Sequence, residues 1–222
     1  MKKSSETKEI KTIKKDKRNF FYMLTAPLAG WLLFLIYRLK VVKGKNNIPP
    51  EGAFIAAGNH ISGYDPIAKF FSQKRQLRYM AKVELFKIPV IRHVVKWYGA
   101  FPVERGAADS NSIDKAVEIL GEGKVLGIYP EGTRSKNGEL GRFKTGVAMI
   151  AHKANVPIYP FAVYSNKKKV VPFCKYTIAF GDPITPEELG IIEGTPKEYH
   201  AAANKLRDIV AELQAYCREV RG

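Results

Sequence analysis

The sequence predicts an α/β fold: a mixed, largely parallel sheet flanked by helices, with an N-terminal helical element that binds membranes. Three observations carry that expectation. From residue 41 onward, short apolar runs of strand length alternate with amphipathic stretches of helix length, the pattern of a sheet covered by helices. Several strand-like runs pass directly into polar, glycine-containing loops, where reactive groups are held on a rigid scaffold. An uncharged run of 18 residues, 20–37, precedes all of this.

The chain has 222 residues, 45% of them hydrophobic, enough for one well-packed domain with or without an appendage. Its net charge of +16 is unevenly spread: 12 of the 37 Lys/Arg but 3 of the 21 Asp/Glu fall in residues 1–45. An anionic partner is expected at that end, either a membrane surface or a polyanion such as nucleic acid. The two cysteines, Cys174 and Cys217, form no spaced motif, which argues against a disulfide framework, a zinc site or a redox pair. A reduced cytosolic setting is the simpler reading.

Residues 1–18 read as a basic flexible tail, with eight Lys/Arg against three acidic residues. Residues 19–40 read as a membrane-anchoring helix or helical hairpin. As one helix the 20–37 run would be about 27 Å long, the short limit for crossing a bilayer, and Pro27 and Gly30 are expected to kink or split it. Lys14, Lys15, Lys17 and Arg18 precede it, and Arg38, Lys40, Lys43 and Lys45 follow it. If basic flanks stay on the cytoplasmic side, a re-entrant or interfacial anchor satisfies both ends and a simple span only one. Trp31, Tyr22 and Tyr37 suit headgroup depth. No Ala-x-Ala-like site follows the run, which disfavours a cleaved signal peptide. The competing reading is a buried core helix behind a basic tail.

Residues 41–222 form the α/β domain. Val41-Val42 starts a short strand before the 44–52 turn region. Residues 53–58 are apolar and bounded by breakers, hence a buried strand, and 66–74 read as a helix with Pro66 at its first position. Residues 77–81 read as a strand, 84–98 as a helix interrupted at Pro89, and 100–103 as an extended piece. An amphipathic helix over 110–122 presents Ile113, Ala116, Val117 and Leu120 on one face and closes at Gly121 and Gly123. Residues 125–129 read as a strong buried strand, 145–154 as a helix, and 157–164 and 176–180 as strands. Lys167-Lys168-Lys169 suits a solvated turn. A long helix over 196–220 carries Tyr199, Ala202, Leu206, Ile209, Leu213 and Tyr216 at helical spacing, a core-packing stripe.

Chemistry concentrates in three post-strand loops. Asn59-His60-Ile61-Ser62-Gly63-Tyr64-Asp65-Pro66 places a histidine five residues before a carboxylate. A neutral imidazole accepts a proton near pH 7, and a carboxylate on its other nitrogen fixes the tautomer and supports the imidazolium. Asp65 ahead of Pro66 is equally a good helix N-cap, so this octapeptide alone leaves both readings open. In Gly99-Ala-Phe-Pro-Val-Glu-Arg105, the planar fork of Arg105 suits a phosphate or carboxylate. Tyr129-Pro130-Glu131-Gly132-Thr133-Arg134-Ser135 offers a carboxylate, a glycine, a hydroxyl and an arginine, the groups that hold a phosphorylated headgroup. Lys144 and the amides opening the next helix add to an anion site. Phe143 stands where a Walker loop needs glycine, which disfavours nucleotide binding, and the four histidines form no metal motif.

Together these stretches resemble the glycerolipid acyltransferase family, specifically bacterial 1-acyl-glycerol-3-phosphate acyltransferases. The resemblance covers about residues 41–185 and rests on four blocks in the family's order: Asn59-His60…Asp65, Gly99–Arg105, Glu131-Gly-Thr-Arg-Ser135 and Val156-Pro-Ile-Tyr-Pro160. Tyr129, where several relatives carry Phe, is a mild departure.

The family implies an acyltransferase domain over 41–222 with the glycerolipid acyltransferase fold, on the cytoplasmic face of the cell membrane. It implies transfer of an acyl group from acyl-carrier protein or coenzyme A to the 2-hydroxyl of lysophosphatidic acid, giving phosphatidic acid for phospholipid synthesis. His60 would be the general base, supported by Asp65, with no acyl-enzyme and no cofactor beyond the thioester co-substrate. Arg105 resembles the phosphate-binding arginine, and Glu131, Gly132, Thr133 and Arg134 resemble the block that binds the glycerol-phosphate, with Glu131 alternatively organising the loop. The expected partners are lysophosphatidic acid, the acyl thioester and an anionic membrane surface, not nucleic acid. Another lysolipid or glycerol-3-phosphate as acceptor is the alternative. A non-catalytic basic protein that binds membranes or nucleic acid is the distant one.

Overall fold

The computed structural model describes residues 20–45, 47–63, 65–66, 68, 75–103, 110–167 and 170–222. The basic tail and most of the helix expected over 66–74 lie outside these residues. Seven strands build one sheet: β1 (Lys40–Lys43), β2 (Phe54–Gly58), β3 (Leu77–Lys82), β4 (Ala100–Val103), β5 (Val125–Ile128), β6 (Ile158–Ser165) and β7 (Tyr176–Phe180). Their order is β1-β7-β6-β2-β5-β3-β4, and neighbours run parallel except β6 and β7. The helices are α1 (Phe20–Tyr37), α2 (Pro89–Trp97), α3 (Ser110–Gly121), α4 (Gly146–Ala154) and α5 (Pro196–Arg221). A 3₁₀ turn, Val83–Phe86, precedes α2, so the interruption expected at Pro89 marks the start of a separate helix.

A central parallel strand is covered on both faces, so its sequence is apolar at every position rather than at every second one. All five residues of β2 are buried accordingly. Ile55 and Ala57 face a core shared with Ala116 and Leu120 of α3, Val147 and Ile150 of α4, and Leu206 and Val210 of α5. Phe54 and Ala56 face a second core with Tyr79, Phe161, Val163, Tyr176 and Phe180. Tyr22, Ala26 and Tyr37 of α1 belong to that second core.

α1 is therefore one continuous helix laid along the sheet, not a hairpin split at Pro27 and Gly30. Proline costs a helix one backbone hydrogen bond. Here Tyr22 and Ala26 before Pro27 and Tyr37 beyond it are all buried in the second core. At the far end the Phe173 N–H donates to the Ile36 carbonyl at 2.6 Å.

α5 starts in a capping box: the Thr195 hydroxyl accepts from the Glu198 N–H at 3.3 Å, and the Glu198 carboxylate accepts from the Thr195 N–H at 2.9 Å. Its buried stripe keeps Ala202, Leu206 and Leu213 but turns toward Ala203, Val210 and Cys217, leaving Tyr216 38% exposed. Spacings of three and four residues from Ala203 to Cys217 follow the 3.6-residue turn more closely than the expected stripe did.

Gly58 closes β2 against β6, where an added Cβ would run into the Phe161 carbonyl and ring. The backbone there has no room to give. Gly58→Ala is expected to lower the unfolding free energy by about 1–3 kcal/mol, the usual cost of overpacking. Denaturant melts followed by circular dichroism check this, and an unchanged midpoint contradicts it.

Candidate active site

β2 and β5 end side by side, and β7, antiparallel to β6, begins at that same end of the sheet, with Tyr176 opposite Ser165. The loop leaving β2 is anchored first by Asn59. Its side-chain amide donates to the Val163 carbonyl at 2.9 Å, and its oxygen accepts from the Val163 N–H at 2.7 Å. Asn59 thus shapes the loop and pairs with no reacting group.

His60 and Asp65 meet as expected, with Nδ1 2.7 Å from Oδ2. The same oxygen accepts the N–H groups of Ile61 and Ser62 at 2.7 and 2.8 Å. Oδ1 accepts the Tyr176 hydroxyl at 2.5 Å. Asp65 is fully buried, whereas the His60 side chain is 15% exposed. Four donors suit an acceptor-only carboxylate and assign the Nδ1–H tautomer to His60, so Nε2 carries the lone pair. Among the described residues the carboxylate bonds run backward into the loop and across to β7. The N-cap reading of Asp65 gains no bond there.

Tyr176 was not singled out in the sequence. It lies 111 residues from Asp65, and only its place at the start of an apolar strand marked it. Burial, reinforced by the neighbouring Asp65 charge, raises its phenol well above the ordinary value. Tyr129 stacks on the His60 ring at 4.1 Å between centroids and 18° between planes, and Tyr79 stacks behind it at 5.9 Å. Burial raises both of these phenols well above their ordinary value as well. Gly127 leaves the space the Tyr79 ring occupies.

Glu131 sits beside the dyad. One oxygen accepts the His60 N–H at 2.9 Å and the other accepts the Gly141 N–H at 3.1 Å. Burial raises its carboxyl above the ordinary value, and the two amide donors pull it back in part. The Ser135 N–H returns a bond to the His60 carbonyl at 2.7 Å. Both carboxylate oxygens thus hold backbone, so the geometry gives Glu131 the loop-organising place.

Thr133 and Arg134 are exposed at the rim, beyond Gly132. Gly132 has φ +72°, in the left-handed region that favours glycine, and a Cβ there would lie 3.0 Å from the Lys144 ammonium. A Cβ on Gly63 would lie 3.4 Å from the Arg134 guanidinium. Two bare glycines thus admit two cations beside the His60 loop. Arg105 lies outside the described residues.

The three buried phenols make stability pH-dependent in a definite direction. Unfolded tyrosines ionise near 10.0, while Tyr79, Tyr129 and Tyr176 hold their protons well above that when folded. Their contribution is complete below pH 10 and is lost as pH rises toward the folded values, approaching about 1.4 kcal/mol per pH unit for each phenol. Tyr129→Phe removes one titration and is expected to make the alkaline fall in unfolding free energy shallower. An unchanged slope in denaturant melts between pH 9 and 11 would contradict this, a range about one unit either side of the free phenol.

The family model described as Acyltransferase matches residues 40–164. A relative from Borreliella burgdorferi named 1-acyl-sn-glycerol-3-phosphate acyltransferase is 33% identical over 128 residues, covering 57% of this chain and 51% of that protein. One of the same name from Bacillus subtilis is 33% identical over 146 residues, 64% of this chain and 72% of that protein. The match thus spans about half the length of the first relative and nearly three quarters of the second. A crystal structure of the 1-acyl-sn-glycerophosphate (LPA) acyltransferase from Thermotoga maritima has the same fold. Its TM-score is 0.67 at 24% identity, covering 88% of this chain and 81% of that one. Because the family model spans more than half of the chain and includes both His60 and Asp65, the protein belongs to the Acyltransferase family.

Proposed function

We propose that this protein transfers a fatty acyl group from an acyl thioester to the 2-hydroxyl of 1-acyl-glycerol-3-phosphate, forming phosphatidic acid at the cytoplasmic face of the membrane. The observation that carries the proposal is the His60–Asp65 pair at 2.7 Å, which occupies Nδ1 of a partly exposed imidazole and leaves Nε2 as its basic nitrogen. The shared name of the Borreliella and Bacillus relatives supports the acceptor.

Nε2 takes the proton of the acceptor hydroxyl as that oxygen attacks the thioester carbonyl. Asp65 supports the imidazolium that forms. The tetrahedral intermediate collapses, the carbon–sulfur bond breaks, and His60 returns its proton to the departing thiolate. Substrate oxygen is the only nucleophile required. Cys174 and Cys217 are both buried in the core, and burial pushes the Cys217 thiol up to about 12. Arg134 and Lys144 supply the positive charge for the acceptor phosphate, with Arg105 and Thr133 as further ligands. Glu131 holds His60 and the loop in place.

The test is acyl transfer by purified protein in detergent. One acyl donor is compared across lysophosphatidic acid, other lysolipids and glycerol-3-phosphate, and acyl-carrier protein is compared with coenzyme A. His60→Ala is expected to cost roughly 10²–10⁴-fold in kcat, the worth of a general base. A near wild-type rate would sink the mechanism, and preference for another acceptor would replace the substrate. Tyr176→Phe removes one donor from a buried carboxylate, a bond worth about 1.5–3 kcal/mol, so kcat is expected to fall roughly ten- to a hundredfold with KM little changed. A change confined to KM would deny Tyr176 its positioning role.

A further inference from the structure

The hydrogen bond to Asp65 fixes one atom of the His60 ring and leaves the tilt of the ring to be set by other contacts. Nδ1 lies 2.7 Å from Oδ2. A single hydrogen bond keeps most of its strength over a tilt of about 30°, and the terminal torsion of histidine is broad rather than confined to narrow wells. The Nε2 lone pair lies in the ring plane, so that plane decides where the nitrogen takes a proton. Tyr129 stacks on the ring, 4.1 Å away between centroids and 18° from parallel.

We propose that Tyr129 is a positioning residue of the reaction, an aromatic plate that sets the plane of the His60 imidazole and so the direction of Nε2. This rests on His60 acting as the base. The plate is braced by two further rings. Tyr79 lies parallel to Tyr129 at 10° and 5.9 Å, and Phe161 meets it edge-on at 89° and 5.9 Å. Tyr79 on β3 and Phe161 on β6 are buried in the core, and Tyr129 directly follows β5. Three strands thus fix one ring. Two glycines make the room: a Cβ on Gly127 would run into the Tyr79 ring, and one on Gly58 into the Phe161 ring. Glycine weakens a strand interior, and close approach of another group is a usual reason for one. Here β5 and β2 each give up a side chain beside a ring that braces Tyr129.

The ring face, not the hydroxyl, carries the role. The Tyr129 oxygen is buried. Burial, with the Tyr79 phenol and the Asp65 charge nearby, holds its proton well above the ordinary value, so it offers no proton to the reaction. A stacked plate also suits both charge states of the base. It packs on the neutral imidazole, and its electron-rich face attracts the imidazolium.

The test compares purified variants in the acyl-transfer assay and follows the proton on Cε1 of His60 by NMR in detergent. Tyr129→Phe retains the aromatic pair, so kcat is expected to stay within about threefold of wild type. Tyr129→Leu keeps an apolar side chain but removes the plane, and kcat is expected to fall about tenfold or more with KM little changed, the effect of a misaligned base. Loss of the ring current is expected to move the Cε1 proton downfield in Tyr129→Leu and to leave it in place in Tyr129→Phe. Should Tyr129→Leu fail to fold, Tyr129→Met fills the space without a plane and takes its place. Wild-type kcat in Tyr129→Leu or Tyr129→Met, an equal fall in Tyr129→Phe, or a change confined to KM overturns the proposal. Should the wild-type protein acylate no acceptor, the proposed reaction falls instead, and the Cε1 proton decides the stack alone. A downfield move in Tyr129→Leu then supports it, and an unmoved proton overturns it.

Discussion

Burying an aspartate without compensation costs several kcal/mol, and the structure around Asp65 is arranged to avoid that cost. Its oxygens accept from two loop amides, from the His60 ring and from the Tyr176 hydroxyl. The four donors come from the loop after β2 and from β7, elements on either side of β6 that the sheet order β7-β6-β2 brings to one end. The dyad is therefore a product of the sheet. Removing the antiparallel β6–β7 pairing would take Tyr176 from Asp65, and with it the constraint that fixes the carboxylate against His60.

Glu131 extends the same constraint to the 130–145 loop. It ties the His60 amide to Gly141, and Lys144 returns its N–H to the Pro130 carbonyl at 2.9 Å, closing the base of the 130–145 loop. From α5, Arg207 donates to the Gly141 and Leu140 carbonyls and Gln214 to that of Gly138. A helix that looks in sequence like a packing element thus also sets the loop from which Arg134 and Lys144 reach the His60 side. Neighbouring cations repel one another, so a loop carrying several stays in place only where backbone bonds of this kind hold it.

What was legible in sequence was local. β2 and β5 could be read because strands buried on both faces are apolar throughout and end at breakers. The His60–Asp65 pair could be read because five residues of loop bring it together. Tyr176 could not, since its partner is fixed by strand pairing across 111 residues. Of the helix or hairpin expected over 19–40, a single helix forms, with Tyr22 and Ala26 before Pro27 and Tyr37 beyond it buried in the core. The helix that Asp65 would cap lies mostly outside the described residues, while its bonds among them go to the loop before it and to β7. Glu131 left two roles open because a carboxylate in a glycine-rich loop serves substrate or backbone equally well until its partners are placed.

The 171–176 segment joins the chemistry to the surface. Within it Phe173 turns outward at φ +64°, a left-handed conformation uncommon for a bulky residue, while Cys174 and Tyr176 turn inward to the core. The exposed Phe173 is thus three positions from Tyr176, which holds Asp65.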